Sequence, residues 1–375
     1  MRPLTLVLSV VCFAACGQLG PPRTDAGSGG GGAFVPTGGG VGTTGGGVGS
    51  TGGGAALGGG TAVGGGSGPA PLVWSTVALQ DATSSLAVVA LSGDANDVYA
   101  GQELGDFFHS TGGGFTKLFR FSTGIRSLYA SGGTVVMVSG GDIRTCKTNC
   151  TTEAAFDTLS LNNPAMNWSF FGKAACGEGP NHIVVIVTDR TSSAAGQVFE
   201  WDGTAWARTN SNLGISNPTA CWFDGSGNFY VSGDDRVVLV ENGSSTPISF
   251  STNNTNYRGG ATIDGVTWVV GPNLFVAKGS GLSISPVSTG HTVSQTLGAV
   301  AAVTSDEVYL LGYYSSTNNL GPGLKWNGTS FTTLGNSLPG FGLQSGVRVT
   351  HRTSANEVFM AGADSDGPII IRGRR

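Results

Sequence analysis

Charged residues are scarce in this sequence. Only 11% of its 375 residues are Asp, Glu, Lys or Arg, and the net charge is −4. No run of Lys or Arg occurs outside the tail Arg372-Gly373-Arg374-Arg375. That argues against a nucleic-acid partner, because phosphate backbones are held by clustered cations that displace counterions. Beyond the first residues no apolar segment approaches the roughly 18 residues that a membrane-spanning helix needs. No amphipathic stretch of about ten residues with helical periodicity is present either, so the body reads as all-β. The nucleophile elbow GxSxG, the metalloprotease pair HExxH and the P-loop are all missing. The four histidines, His109, His182, His291 and His351, stand apart from one another, outside metal-ligand spacing. No metal and no cofactor are expected.

What is present begins with an address. Met1-Arg2 is a short basic start, and Leu4 to Phe13 is an apolar run of about ten residues, the length of a signal-peptide core rather than of a membrane span. Phe13-Ala14-Ala15-Cys16 follows and resembles the bacterial lipobox, with Phe13 where that motif prefers Leu. The resemblance implies cleavage after residue 15 and lipidation of Cys16. Gly17, in place of the Asp that retains such proteins in the inner membrane, implies outer-membrane sorting. Gly is abundant, 65 residues, and from Gly27 to Gly68 it fills more than half the positions in TGGG and GGGVG units. Such a segment cannot bury enough apolar surface to offset its chain entropy, so a disordered tether is expected, with a root-mean-square reach of roughly 40 Å. The expected division is residues 1–15 signal peptide, 16–70 lipidated Cys plus linker, and 71–375 a folded domain. Four of the six cysteines, Cys146, Cys150, Cys176 and Cys221, fall in that domain. An even number in an exported chain suggests two disulfides. Cys146 and Cys150 can close a small loop, leaving Cys176 with Cys221. Free thiols and a zinc site are the other readings, the latter without a second CxxC or HxxxH partner.

The domain repeats itself. An acidic or Asn turn, a strand, a small residue and Gly recur as Asn96-Asp97-Val98-Tyr99-Ala100-Gly101, Asn228-Phe229-Tyr230-Val231-Ser232-Gly233, Asp306 to Gly312 and Asn356 to Gly362. Weaker copies are Val135 to Gly140 and Thr267 to Gly271, and the run Ile183 to Val187 is a degenerate one. The closing glycines are about 39, 93, 38, 41 and 50 residues apart, the second interval spanning two periods. Trp201-Asp202-Gly203-Thr204-Ala205-Trp206 matches Trp326-Asn327-Gly328-Thr329-Ser330-Phe331 about 125 residues on, and Asp-Gly or Asn-Gly there favours a type I′ hairpin turn between the third and fourth strands of a unit. A unit of four strands cannot bury both faces alone, whereas radial stacking covers each sheet with the next. The expected fold is a seven-bladed β-propeller, with six or eight blades as alternatives and a β-sandwich pair as the structural rival. The last unit lacks a fourth strand and Leu72 to Leu79 lacks a unit, so the N-terminal strand is expected to close the last blade.

Phe223 to Gly233 resembles the turn and strand of NHL-type repeats, and the Trp-Asp-Gly-Thr-x-Trp element resembles repeats of kelch-like exported propellers. With the lipobox, the chain resembles Gram-negative propeller lipoproteins. The resemblance implies a fold and an envelope location. The quinoprotein-type signature of the outer-membrane assembly scaffolds in that group is missing. Candidate binding residues are the loop carboxylates Asp234, Asp235, Asp364 and Asp366, as an acid/base pair or cation site, and the aromatics Tyr313 and Tyr314, for stacking on sugars or packing on a protein. Trp168, Trp222, Phe107 and Phe108 lie in or near strand ends as well, with core packing as the plainer reading. Asp224-x-Ser226-x-Asn228 has the alternating oxygens of a calcium loop without the downstream Glu, and reads better as a turn stabilised by Asp.

The functional expectation is a monomeric, lipid-anchored, non-enzymatic scaffold binding a protein or glycan at the cell envelope. The membrane is touched only through the lipid, and there is no nucleic acid. Alternatives are an exported hydrolase or lyase acting on polysaccharide, and a structural part of an outer-membrane assembly or motility complex. A cluster of Asp, Glu, Arg or His at the axial mouth favours the hydrolase, and a flat aromatic face favours binding. Fold alone does not choose among them.

Overall fold

The computed structural model describes residues 69–375, apart from 83–85, 191–195, 211, 251–255, 293, 314–322, 336, 342–345 and 365. The signal, Cys16, most of the glycine-rich segment and Tyr314 lie outside the described residues. The chain forms seven antiparallel blades, over residues 88–120, 125–160, 170–210, 220–248, 259–286, 296–333 and 346–374. Among the described residues the only helical pieces are two short 3-10 turns, Glu153–Ala155 and Pro164–Met166. The first strands of the blades contact one another in sequence and the seventh returns to the first, so they form a closed inner ring. Side-chain hydrogen bonds stitch that ring: Ser92 accepts from Ala130 N (2.9 Å), Ser127 accepts from Ala175 N (2.9 Å) and Thr350 donates to Val300 O (2.7 Å).

The second strands explain why the repeat was so visible. Successive side chains of a strand point to opposite faces, and both faces of a propeller blade are covered. A second strand is therefore apolar at nearly every position instead of alternating. In blade 2, Val135 and Met137 pack toward blade 1 while Val136 and Val138 pack toward blade 3. In blade 6, Val308 and Leu310 face blade 5, and Tyr309 and Leu311 face blade 7. The buried apolar residues fall into seven clusters, one between each neighbouring pair of blades.

The closing glycine of the repeat has a steric cause. A Cβ on Gly312 would overlap the carbonyl oxygen of Thr296, and one on Gly362 that of Gly346. Both glycines pair with the first strand just before a bulge, where one extra residue draws the backbones together. Gly362→Ala is expected to cost about 2–3 kcal/mol, as overpacking does in a dense interior, readable as a shift in the denaturation midpoint. A change within a few tenths would mean that the bulge yields.

The ring is closed twice. Val73–Val77 pairs antiparallel with Pro368–Arg374 as the outer strand of blade 7, as the unit count required. Leu79–Gln80 then pairs in parallel with Phe115 and Thr116, the outer strand of blade 1, a step the repeat pattern did not announce. The basic tail is part of this closure. Glu357 takes Arg372 Nε (2.6 Å) and Arg374 Nε (2.6 Å), and Arg375 ion-pairs with Glu307 of blade 6 while donating to Ala70 O (2.6 Å). Burial pushes the Glu307 carboxyl up, but Lys325 and Tyr309, each at 2.8 Å, and Arg375 outweigh it and hold it below its ordinary 4.5. A depressed carboxyl stabilises the fold above the unfolded value and stops doing so as it protonates. The melting temperature is therefore expected to fall as pH drops below about 4.5, and Glu307→Gln should flatten that slope. An identical slope in the variant would remove Glu307 from the acid response.

Both cysteine pairs are disulfide-bonded. Cys146–Cys150 closes a small loop at the end of the third strand of blade 2, and Cys176–Cys221 joins the first strands of blades 3 and 4. The two Asp-Gly and Asn-Gly elements do connect third and fourth strands, but not by type I′ turns. Trp201 pairs with Trp206 across a four-residue loop in which only Gly203 has positive φ (+94°). The Asp202 carboxylate accepts from Thr204 N (2.8 Å) and Ala205 N (2.8 Å), and these bonds hold its carboxyl down at about 2. Asn327 makes the same pattern with Thr329 and Ser330. The side chain, by making the turn bonds itself, removes the need for two left-handed residues.

Candidate functional site

The loops joining second to third strands, together with the crossings from one blade to the next, open on one end of the inner ring. Asp234 and Asp235 sit there in blade 4, and Asp364 and Asp366 in blade 7. None of the four reaches the axial mouth, and the two pairs do not form a common acid/base site. Asp235 accepts from Ser216 N (3.0 Å) and Arg236 Nε (2.8 Å), and Asp234 accepts from Asn217 Nδ2 (3.1 Å). Asp364 folds a turn by accepting from Asp366 N (2.8 Å) and Gly367 N (3.0 Å). Asp235 and Asp364 thus hold backbone amides of their own loops, and Asp234 holds the side-chain amide of Asn217. Asp224 likewise takes Ser226 N, Ser226 Oγ and Asn228 Nδ2, the turn rather than the calcium loop.

Tyr313 ends the second strand of blade 6, and Tyr314 lies outside the described residues. Phe107, Phe108 and Trp222 are buried between blades, and Trp168 packs edge-on against Phe199 (5.2 Å), so these aromatics make core rather than surface. Among the described residues no group of three or more His, Cys, Asp or Glu is placed to hold a metal ion. His109 lies on Asp97, His182 sits 3.6 Å from Glu178, and His351 is packed on Gly93 of the neighbouring first strand, where burial pushes its pKa down.

What the sequence did not announce is a cationic mouth. A cavity of about 1020 Å³ opens at the loop end of the inner ring and is lined by Arg126, Lys173, Arg190, Arg258 and Arg348, with Glu103 the only carboxylate among the described lining residues. The cations come from four different blades and lie tens of residues apart, so no Lys/Arg run marks them. The expectation of no basic patch holds along the chain and fails on the surface.

β-Bulges place three of the five. In blade 2, Ile125 pairs with Ser139 and Ser127 with Val138, leaving Arg126 unpaired. Lys173 is skipped between Gly172 and Ala174, and Arg348 between Val347 and Val349. A bulge re-aims the extra residue out of the pleat, and here it aims into the axial opening. Val89 and Gly298 occupy the same bulge in blades 1 and 6. Arg258 is the last residue before the first strand of blade 5, Gly259–Ile263. Aligning the repeat copies by their first strands, Ile125-Arg126-Ser127, Gly172-Lys173-Ala174 and Val347-Arg348-Val349, is the signal that finds them.

The mouth is electrostatically one-sided. Arg348 pairs with Glu103 at 3.1 Å. Arg126 lies over the Phe171 ring at 4.3 Å to its centre, with Lys173 at 5.2 Å and Arg190 at 5.8 Å from the same ring. Arg190 is fixed by donating to Phe170 O (3.1 Å) and Gly140 O (3.2 Å). Lys173 donates to Asn217 Oδ1 (2.6 Å). Burial and, second, repulsion from Arg126 lower its pKa, against a smaller opposing pull from Asp234. The Arg258 side chain makes no hydrogen bond or ion pair among the described residues. Such an arrangement suits an anion. Guanidinium forks match carboxylate and phosphate oxygens, and Arg126 and Arg258, which bond to no carboxylate among the described residues, gain most from an incoming negative charge.

The fold is shared with solved propellers of low sequence similarity. The structure titled YCF48 bound to D1 peptide superposes with a TM-score of 0.61 at 13% identity, covering 82% of this chain and 96% of that one. The WD40 β-propeller domain of Doa1 gives 0.58 at 12% identity, covering 80% and 95%. The Cps50 (Swd1) propeller of Myceliophteria thermophila gives 0.56 at 11% identity, covering 79% and 98%. No family model matches the sequence, and no curated protein matches it. The chain is thus a seven-bladed β-propeller related to these by architecture.

Proposed function

We propose that this chain is an exported lipoprotein whose propeller is a non-enzymatic binding platform at the outer membrane. In this reading residues 1–15 are removed, Cys16 carries the lipid, the glycine-rich segment to residue 70 is a leash, and residues 71–375 hold a partner. The observation that carries the binding role is the axial mouth, where five cations face the opening with one carboxylate among them. General acid/base chemistry needs paired proton donors and acceptors at the reacting centre. Here Asp235 and Asp364 bond to loop amides, and Glu103 bonds to Arg348. Two disulfides suit an oxidising compartment. The similarity to a propeller whose title names a bound peptide agrees with a protein partner. A leash of this length raises the local concentration of the platform near its membrane and lets it search.

The test is fractionation of cells making the wild-type chain or Cys16→Ala, with a labelled fatty acid in the medium and protease added to intact cells. The wild type is expected in the outer-membrane fraction carrying label, and Cys16→Ala free of label and released. Digestion on intact cells would put the platform on the outer surface, and protection until the membrane is opened would put it in the periplasm. An unlabelled wild type, or a Cys16→Ala variant that stays attached, would overturn the lipoprotein reading.

A further inference from the structure

We infer that the mouth is a docking site for an acidic, partly apolar protein segment that enters along the propeller axis. This deepens the binding role proposed above and rests on it. Three observations give the ligand its chemistry. The first is unspent donor capacity. Arg258 has no side-chain partner among the described residues, Arg126 only stacks on Phe171, and Lys173 gives one hydrogen bond to Asn217. Held this close without matching carboxylates, these groups repel one another, and an anion that threads among them relieves the repulsion.

The second observation separates a peptide from a sugar or a base. Glycan and nucleotide sites use an open aromatic face on which a ring lies flat. Among the described residues Phe171 is the one aromatic in the lining, and the Arg126 guanidinium already sits over its ring. A sugar or base would have to displace that arginine before it could stack. A carboxylate can meet the edge of the guanidinium without disturbing it.

The third observation is shape and apolar wall. The cations surround an axial opening instead of forming a track across the surface, so the site suits a loop or chain end more than a long polyanion lying across the face. Leu104, 51% exposed, and the bulge residue Val89 stand at the same opening. An exposed leucine beside arginines is a place for an apolar side chain between acidic ones. Below the mouth, the inner strands line a narrower channel of about 470 Å³, room for the tip of such a segment.

The test uses the full chain in detergent and a fluorescein-labelled peptide of alternating Glu and Leu, with the Gln/Leu peptide as its uncharged twin. Anisotropy is expected to show the Glu peptide binding at least about tenfold more tightly than its twin, with affinity falling as salt rises. Arg126→Glu and Arg258→Glu are each expected to lose about tenfold or more. Lys147→Glu, a charge reversal in the small disulfide loop away from the mouth, should bind as the wild type does. All three side chains are exposed, and unchanged melting temperatures would confirm that the variants fold. Equal binding of the two peptides, or binding indifferent to the mouth variants, would overturn the inference. So would a sulfated oligosaccharide or an oligothymidylate that competes more strongly than the Glu peptide, because the ligand would then be a polyanion of another class. The readout does not depend on Cys16, so a failed lipid anchor and a failed mouth are told apart.

Discussion

Glu357→Gln is expected to lower the stability of the propeller by about 3–5 kcal/mol, because it strands a buried guanidinium. Glu357 is 7% exposed and Arg372, its partner in the next strand, 6%. Gln keeps the size of the side chain and one acceptor but not the charge. Removing one partner of a buried ion pair costs far more than the pair contributes when intact, since the remaining charge has no water to return to. Arg372 also donates to Gly112 O of blade 1 (2.6 Å), so its displacement loosens the contact between the last blade and the first. The melting temperature should drop by roughly 6–12 °C. Arg374→Gln is the matched control. It binds the same carboxylate, but its side chain is 52% exposed, and an exposed pair is worth about 1 kcal/mol or less. Equal effects of the two substitutions would contradict the assignment of Glu357 and Arg372 as the buried latch.

The second large effect concerns the disulfides, and the expectation is that they are unequal. Cys176–Cys221 joins residues 45 apart in sequence, and Cys146–Cys150 residues 4 apart. If a crosslink acts by restricting the unfolded chain, its contribution grows with the logarithm of the loop it closes. That gives about 4 kcal/mol for the long loop and about 2 kcal/mol for the short one. The long one also fixes blade 3 to blade 4, whereas the short one stays within blade 2. Replacing Cys176 and Cys221 by Ala should therefore lower the midpoint in urea about twice as far as replacing Cys146 and Cys150. All but Cys221 are buried, so the cavity terms are similar and largely cancel in the comparison. A larger loss from the short-loop pair would mean that local packing around Cys146 and Cys150, not chain restriction, sets the stability.

The fold was legible because a propeller writes its geometry into its second strands. Those strands are covered on both faces, so Val135–Val138, Ile183–Val187 and Val308–Leu311 appear as continuous apolar runs. The glycine after the last of these, Gly312, is required where a bulge brings two backbones together. The strand at Val73–Val77 was legible by subtraction, since the last unit was one strand short. The second crossing at Leu79–Gln80 was not, because two residues paired in parallel leave no periodic trace.

The site was much less legible. Carboxylates such as Asp235 and Asp364 stand out in a chain with little charge, yet short acidic side chains in loops also hold backbone amides well, and these two do so. Arg126, Lys173, Arg258 and Arg348 passed unnoticed because each is one cation in its own strand. Only closure of the ring brings them together, and only the bulges turn Arg126, Lys173 and Arg348 inward. A cationic surface assembled from single residues of separate repeats is invisible to a search for runs. It becomes visible once the copies are laid over one another.

The measurement that tests this account most directly is hydrogen exchange along the full chain with and without saturating Glu/Leu peptide. The account predicts new protection at the bulged starts of the first strands, around Ile125 to Ser127, Gly172 to Ala174 and Val347 to Val349, and at Arg258, with the far ends of those strands unchanged. Protection at the opposite end of the ring, on the outer strands, or nowhere would contradict the claim that the cationic mouth is where this propeller takes hold of its partner.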